Sequence, residues 1–398
     1  CRKMEGTMCP SYQATREEEH STRGRANLLR AVLSGTLPHD RLTSKRLYDT
    51  LDLCLECKGC KGECPSMVDM AKVKCEFLSR YYGANGTPLR ARLFSHINLI
   101  NRVGCALAPG SNWLARMPGA KLLSHHLLGI HKARSLPPFA RPTLQRWFRD
   151  RTPLGRGDRG PVVLFDDTFI SYNYPQVGMA AVELLELAGF RVRLAGVKCC
   201  GRPMISKGML GRARDHARYN VDRLYELASQ GTPIVGCEPS CLLTFRDEYP
   251  DLLGDDKARV VAENSYLIDE FLDRLQEQGR LDLSFNESPK KILFHGHCHQ
   301  KAAVGVEASK RVLALPPGFQ VEVVGSGCCG MAGAFGYEKE HYDISMDIGE
   351  LKLFPAVRAK GPEWEIAVTG VSCRQQIEQG TGRRARHLVE LLQDAVNV

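Results

Sequence analysis

Residues 54–65 read CLECKGCKGECP, a Cys-x2-Cys-x2-Cys-x3-Cys-Pro run. This is the bacterial ferredoxin spacing, in which three close thiolates hold one [4Fe–4S] cube and the fourth cysteine ligates a second cluster. The short spacing lets Cys54, Cys57 and Cys60 converge on one cubane, and Pro65 directs the chain away from the loop because it cannot extend a helix. Paired cysteines also suit tetrahedral zinc, but three equal spacings followed by Cys-Pro fit zinc poorly. A partner motif ends at Cys9-Pro10. By the crossing rule Cys9 completes the set of Cys54, Cys57 and Cys60, while Cys64 points to another cluster that Cys1 would join. Two ligands are too few for a second cubane and the sequence starts at Cys1, so a chain cut inside its first motif is expected. Between the motifs, Ser21 or Thr22 caps an amphipathic helix carrying Leu28, Leu29, Val32 and Leu33, and Arg23, Gly24 and Arg25 can sit against a cluster. Cys75 follows an apolar helical stretch and reads as a core thiol.

Outward from this run, the chain has 398 residues, 43% of them hydrophobic and 25% charged, which excludes wholesale disorder and allows two or three domains. No apolar run reaches transmembrane length, and no signal peptide is visible. The sixteen cysteines therefore suggest metal or redox chemistry in a reducing, cytoplasmic compartment rather than disulfides. Seven lie in the first 75 residues and eight beyond residue 190, with Cys105 alone between. From Tyr81 to Arg149 there is no Asp or Glu but there are ten Lys or Arg residues. Leu93, Ile97, Leu99, Ile100 and Val103 recur near helical spacing, and Pro118, Pro137, Pro138 and Pro142 break the stretch into short helices and an extended linker. Such a basic amphipathic connector can pack between domains, dock an acidic partner, or lie peripherally on an anionic membrane surface at the inner face of the cytoplasmic membrane. Without aromatic interleaving or a binding motif it gives no reason to expect nucleic acid.

The region beyond the connector repeats itself. Val162–Phe165 matches Lys291–Phe294, and Cys199-Cys200-Gly201 matches Cys328-Cys329-Gly330, both at an offset of 129 residues. Ser240-Cys241 matches Ser372-Cys373 at an offset of 132. Apolar strands alternating with amphipathic stretches such as Gly178–Gly189 predict an α/β unit in each half, with the strands Arg191–Leu194 and Val321–Val324 leading to the Cys-Cys-Gly. The second half offers four thiols, Cys298, Cys328, Cys329 and Cys373. In the first half the offset places Phe169 against Cys298, leaving Cys199, Cys200 and Cys241, with Cys237 as an extra thiol. Zinc completed by an oxygen ligand such as Glu238, a partial site, or no metal is expected there. His295, His297 and His299 flank Cys298 and read as hydrogen-bonding neighbours of the thiolates. Glu238 and Asp167 are candidate polar partners.

Taken together, CCGRPMISKGML, EPSC, HGHCHQKA, CCGMAGAFGYEKEH and SCRQQI, with Cys9-Pro10 and CLECKGCKGECP, resemble the iron–sulfur half of FAD-linked D-2-hydroxyacid dehydrogenases. The same modules are similar to the iron–sulfur subunits of glycolate oxidase and anaerobic glycerol-3-phosphate dehydrogenase, and to the cysteine-rich subunit of heterodisulfide reductase. The resemblance implies an α-helical two-cluster ferredoxin-like domain followed by a duplicated α/β CCG cysteine-rich domain. It implies boundaries at 1–85 for the ferredoxin-like domain, 86–158 for the connector, and 159–284 and 285–398 for the two CCG repeats. It further implies that electrons from FAD on an absent oxidase domain or subunit pass through a 4Fe-4S cluster to a CCG-type cluster and an acceptor such as quinone. Cys9, Cys54, Cys57 and Cys60 match the ferredoxin-type ligands, and Cys298, Cys328, Cys329 and Cys373 the CCG-type ligands. The alternatives are a heterodisulfide-reductase-like catalyst and a zinc-stabilised binding module.

Overall fold

The computed structural model describes residues 2–38 and 42–397, so Cys1 lies outside the described residues. The N-terminal region is helical because small polar residues cap short amphipathic runs. Ser21 accepts the Gly24 N–H at the start of Thr22–Leu33, Ser44 accepts the Leu47 N–H at the start of Lys45–Asp52, and Asp69 accepts two N–H groups at the start of Met70–Asn85. Leu47, Leu51, Met70, Phe77 and Leu78 form a small core that also holds Met8, Cys9, Cys54 and Cys60. The connector divides into Leu89–Ser95, Ile97–Ala106, Gly110–Arg116, Pro118–Leu127 and, after an extended strip holding Pro137, Pro138 and Pro142, Leu144–Asp150; Pro118 starts one helix, whereas the break at His96 has no proline. No helix among the described residues is long and apolar enough to cross a membrane.

Two four-stranded sheets follow. The first comprises β1 (Pro161–Leu164), β2 (Arg191–Leu194), β3 (Ile234–Gly236) and β4 (Ser265–Leu267) in the order β2-β1-β3-β4. The second comprises β5 (Lys290–His295), β6 (Phe319–Val323), β7 (Trp364–Val368) and β8 (Ala385–His387) in the order β6-β5-β7-β8. Every strand pair is parallel, so each crossover needs a helix, and the inner strands β1 and β5 are mostly buried while the edge strands β2 and β6 alternate buried and exposed residues. One apolar core runs through both sheets, joining Val162, Leu164 and Val235 to Ile292, Phe294 and Ala367. The helices Pro175–Leu187 and Leu388–Ala395 lie between them, contributing Leu184, Leu185, Leu391 and Leu392. The two units therefore pack as one body with their strand ends facing the N-terminal region.

Candidate functional site

Parallel strands collect their outgoing loops at one edge, which is where α/β sheets place ligands. The cysteines of the α/β region use that edge. Cys199-Cys200 follows β2, and Cys241 opens the helix after β3. Cys328-Cys329 follows β6, Cys298 starts the helix Cys298–Ala303 after β5, and Cys373 lies in the helix after β7. Gly201 and Gly330 follow the cysteine pairs at φ of +86° and +96°, a left-handed turn that glycine adopts freely. At Gly330 a side chain would also collide with the Ser345 carbonyl, 2.2 Å from a Cβ there.

In the second unit the four expected thiols come together, with Cys328 bonding Cys298 and Cys329, and Cys329 bonding Cys373. The Gly330 N–H points at Cys328 Sγ, 3.5 Å away. His295 stands beside the Cys329 thiol, its Nδ1 2.9 Å from Ser326 Oγ and its Nε2 without a hydrogen-bond partner. The neighbouring Cys328 and the charges of His297 and Lys301 bring Cys298 down to about 7 against its burial. The neighbouring Cys328, Cys373 and His295 hold Cys329 below the ordinary thiol range. His295 and His297 thus stand beside the thiolates, as expected, and act on them by proximity and charge. His299 turns away, its Nε2–H donating to the Glu56 carbonyl at 2.9 Å.

The first unit repeats the arrangement with one substitution. Cys199, Cys200 and Cys241 are linked by thiol bonds in the same order. The residue bonded to Cys199 is Thr168, through its hydroxyl, not Phe169. Thr168 opens its helix behind the cap Asp167, as Cys298 opens its helix behind the cap His297. The sequence offset slips by one here because the HGHC loop is a residue longer. Cys237, an extra thiol by sequence, packs instead in the apolar core beneath the sheet edge. Glu238 is no free oxygen ligand either: it accepts the Val371 N–H at 2.8 Å and the Ser240 hydroxyl at 2.7 Å, tying the first unit to the second. Burial, with Glu238 close by, pushes Asp167 up to about 8, and its Oδ2 has no partner. The bond from Cys200 and burial raise Cys199 well above the thiol range, and Cys241 rises to about 12.

Near the N-terminus, Cys9, Cys54, Cys57 and Cys60 line one small cavity with Met8, Arg25 and Met70. Glu56 and Lys58 take left-handed conformations at φ of 54° and 60°, winding the loop around this cavity. Arg25, fully buried, sets Nη1 3.4 Å from Cys9 Sγ, and against burial its charge and the Ser11 hydroxyl lower that thiol. Arg23, its sequence neighbour, faces solvent and pairs with Glu18 at 2.8 Å. The Met70 N–H points at Cys60 Sγ, 3.5 Å away. Cys64 stands apart and half-buried at the helix end, and Cys75 packs with Met204, Ile205 and Ala213. Among the described residues no three His, Cys, Asp or Glu side chains close into a group that could hold a single metal ion. The donor sets are buried thiols bonded by N–H groups and cations, the soft chemistry of iron–sulfur clusters, whose corners spread the thiolates wider than one ion does.

The thiol sets share walls. Cys57 packs with Cys298, Cys328 and Leu55 in one cluster. The helix Gly59–Glu63 lies against Cys298–Ala303 so closely that a Cβ on Gly62 would stand 3.1 Å from the Ala302 carbonyl. Lys58 reaches Asp247 and Glu248, and Arg202 joins Glu248 to Glu56. A cavity of about 190 Å³ touches Cys54, Cys241 and Cys298 together. Phe94, Ile97, Ile100, Leu136 and Phe139 of the connector roof it, and His297, His299, Lys207, Glu338 and His341 line its polar side. No sequence pattern points to this cavity, because its walls come from many separate stretches of the chain.

Residues 1–69 match the 4Fe-4S dicluster domain family, and residues 162–246 match the cysteine-rich CCG domain. A subunit of anaerobic glycerol-3-phosphate dehydrogenase from Escherichia coli (strain K12) is 31% identical over 318 residues, which are 79% of this chain and 79% of that one. D-2-hydroxyglutarate dehydrogenase of the same strain is 28% identical over 435 residues, covering 98% of this chain but 42% of its own length. The glycolate oxidase iron-sulfur subunit of that strain is 25% identical over 410 residues, 98% of this chain and 91% of the subunit. A ferredoxin-like domain and a cysteine-rich domain with iron–sulfur cofactors are thereby shown, and the chain belongs to the family of that anaerobic glycerol-3-phosphate dehydrogenase subunit.

Proposed function

We propose that this chain is the electron-transfer arm of a flavin-dependent dehydrogenase acting on a hydroxy acid or a glycerol phosphate. It would receive electrons from FAD on another domain or subunit and hand them to an acceptor such as a quinone. The observation that carries this reading is the packing of Cys57 on Cys298 and Cys328. An iron–sulfur cluster bound to such thiols supplies one-electron transfer. The chain's own part is to hold Cys9, Cys54, Cys57 and Cys60 around one cavity, exclude water from it, and press that set against Cys298, Cys328, Cys329 and Cys373. Arg25, beside Cys9, favours the added negative charge of the reduced state.

On this reading the two α/β units are copies of one CCG repeat, at 159–284 and 285–398, behind a ferredoxin-like domain at 1–85 and a connector at 86–158. Cys64 is left for a second cluster with Cys1. Cys199, Cys200 and Cys241, with Thr168 in place of a fourth thiol, hold no cluster. The connector adds a membrane reading: Trp113, Leu107 and Leu127 are 68%, 65% and 70% exposed on a surface without a single acid. Vesicles of anionic lipid should then bind the protein at low salt and release it as salt rises. No sedimentation with vesicles at low salt would remove that role.

Electron paramagnetic resonance of the reduced, iron-loaded protein tests the N-terminal assignment. Cys57→Ser should delete one cubane signal, because oxygen is a poor donor to a soft site, while Cys75→Ser should leave every signal in place. Equal depletion in both variants would overturn the assignment.

A further inference from the structure

We propose that His341 is the proton donor to an acceptor reduced in the cavity where the three thiol sets meet. The inference rests on the electron-transfer reading above and extends it to the protons. His341 lies on the cavity wall, its ring stacked on Phe335 with centroids 4.2 Å apart. Two carboxylates flank it: Asp52 Oδ2 is hydrogen-bonded to Nε2 at 2.9 Å, and Glu338 Oε2 stands 2.9 Å from Nδ1 as a charge contact without hydrogen-bond geometry. A histidine between two carboxylates is kept as imidazolium, a proton stored at a defined place. Neither of the other two histidines on the wall sits between two close carboxylates. His299 donates to the Glu56 carbonyl, and His297 accepts the backbone N–H of His299 at Nδ1 while its Nε2 lies 4.0 Å from Glu238.

Cations around Glu338 keep it ionised beside His341. Lys207 Nζ lies 2.7 Å from Glu338 Oε1, and Arg90 Nε lies 3.6 Å from it. Arg90 continues to Glu340, whose side chain is 41% exposed. The remaining ionisable groups facing the cluster are Lys74, beside Asp52, and Tyr48 and Tyr82. Several separate stretches of chain thus meet here. The Asp52 carboxylate is 22% exposed and the Glu338 carboxylate 5%, so the Asp52 side is the one that opens to a ligand. An acceptor oxygen can take its place on Nε2–H.

A quinone is the simplest acceptor of this class. Two electrons reach it singly, its two C=O bonds become C–O bonds, and two O–H bonds form. One of these protons leaves His341 Nε2, and the second comes from water at the cavity mouth. The neutral imidazole is then reprotonated from solvent on the side of Asp52, the more exposed of the two carboxylates.

The test compares two oxidants of the reduced, iron-loaded full chain in stopped flow. Menadione needs protons with its electrons, and ferricyanide takes electrons alone. For the wild type, menadione reduction should fall above the imidazolium pKa while ferricyanide reduction stays flat with pH. His341→Gln should slow menadione by about 10²-fold and abolish the alkaline fall. Glu338→Gln, which removes one stabilising anion, should move that fall to lower pH. Calorimetry with menadione on the same variants should show that binding survives. An unchanged menadione rate and pH profile in His341→Gln would overturn the proposal, as would equal slowing with both oxidants, the mark of a merely structural residue. A wild type that ferricyanide oxidises and menadione does not would overturn the electron-transfer reading for quinones.

Discussion

Thr168 and Cys298 occupy corresponding places at the carboxyl ends of the first strands of the two sheets, yet the side chains around them differ in kind. Around Cys298 stand His295, His297 and Lys301, and two of the four thiols are held below their ordinary range. Around Thr168 stand Asp167 and Glu238, and Cys199, Cys200 and Cys241 are all raised. A thiolate site needs donors and cations to offset its burial. Both units share the strand order and the cysteine pair, so topology places the thiols alike, and the side chains beside them set the two units apart.

The largest expected effect comes from exchanging the two residues. Cys298→Thr should cost the second unit most of its iron, measured per chain after reconstitution. Thr168→Cys should complete a fourth thiol in the first unit and raise iron above the wild-type level. No gain in Thr168→Cys would mean that a fourth thiol is not enough to make the first unit a cluster site.

A smaller effect is expected from Asp167→Asn. The carboxyl's pKa rises from 3.8 to about 8 on folding, so the folded chain keeps a proton that the unfolded chain releases. Stability is therefore lost as pH climbs through that window. Asparagine cannot ionise and still accepts the Phe169 and Ile170 N–H groups that Asp167 caps. It should stabilise the protein by about 1–2 kcal/mol at pH 8 and by almost nothing near pH 4. Denaturant unfolding at the two values checks this. A stabilisation that does not change with pH would contradict the buried-charge account.

Much of this contrast is legible in the sequence. The Cys-x2-Cys-x2-Cys loop, the Cys9 crossing, the alternation of strands and helices and the four thiols of the second unit all follow from local spacing. The offset misaligns Phe169 because a match taken from strands 129 residues apart cannot see one extra residue in a loop. Cys237 sits only four residues before Cys241, but the strand end turns it into the core while the helix start turns Cys241 to the edge. Arg25 against Cys9 is suggested by sequence, whereas its burial beside an exposed Arg23 is decided by helix phase and packing. The cavity and the Asp52–His341–Glu338 cluster depend on contacts between distant stretches, which leave no periodic trace.

The central claim is that the second unit carries the functional cluster and the first does not. Iron per chain, measured side by side in Cys200→Ser and Cys329→Ser, tests it most directly, with electron passage to the acceptor followed in the same samples. The account predicts that Cys329→Ser loses iron and blocks electron passage, while Cys200→Ser retains its iron and shows only a lowered melting temperature. Equal loss of iron from the two variants would mean that both units bind clusters and would contradict it.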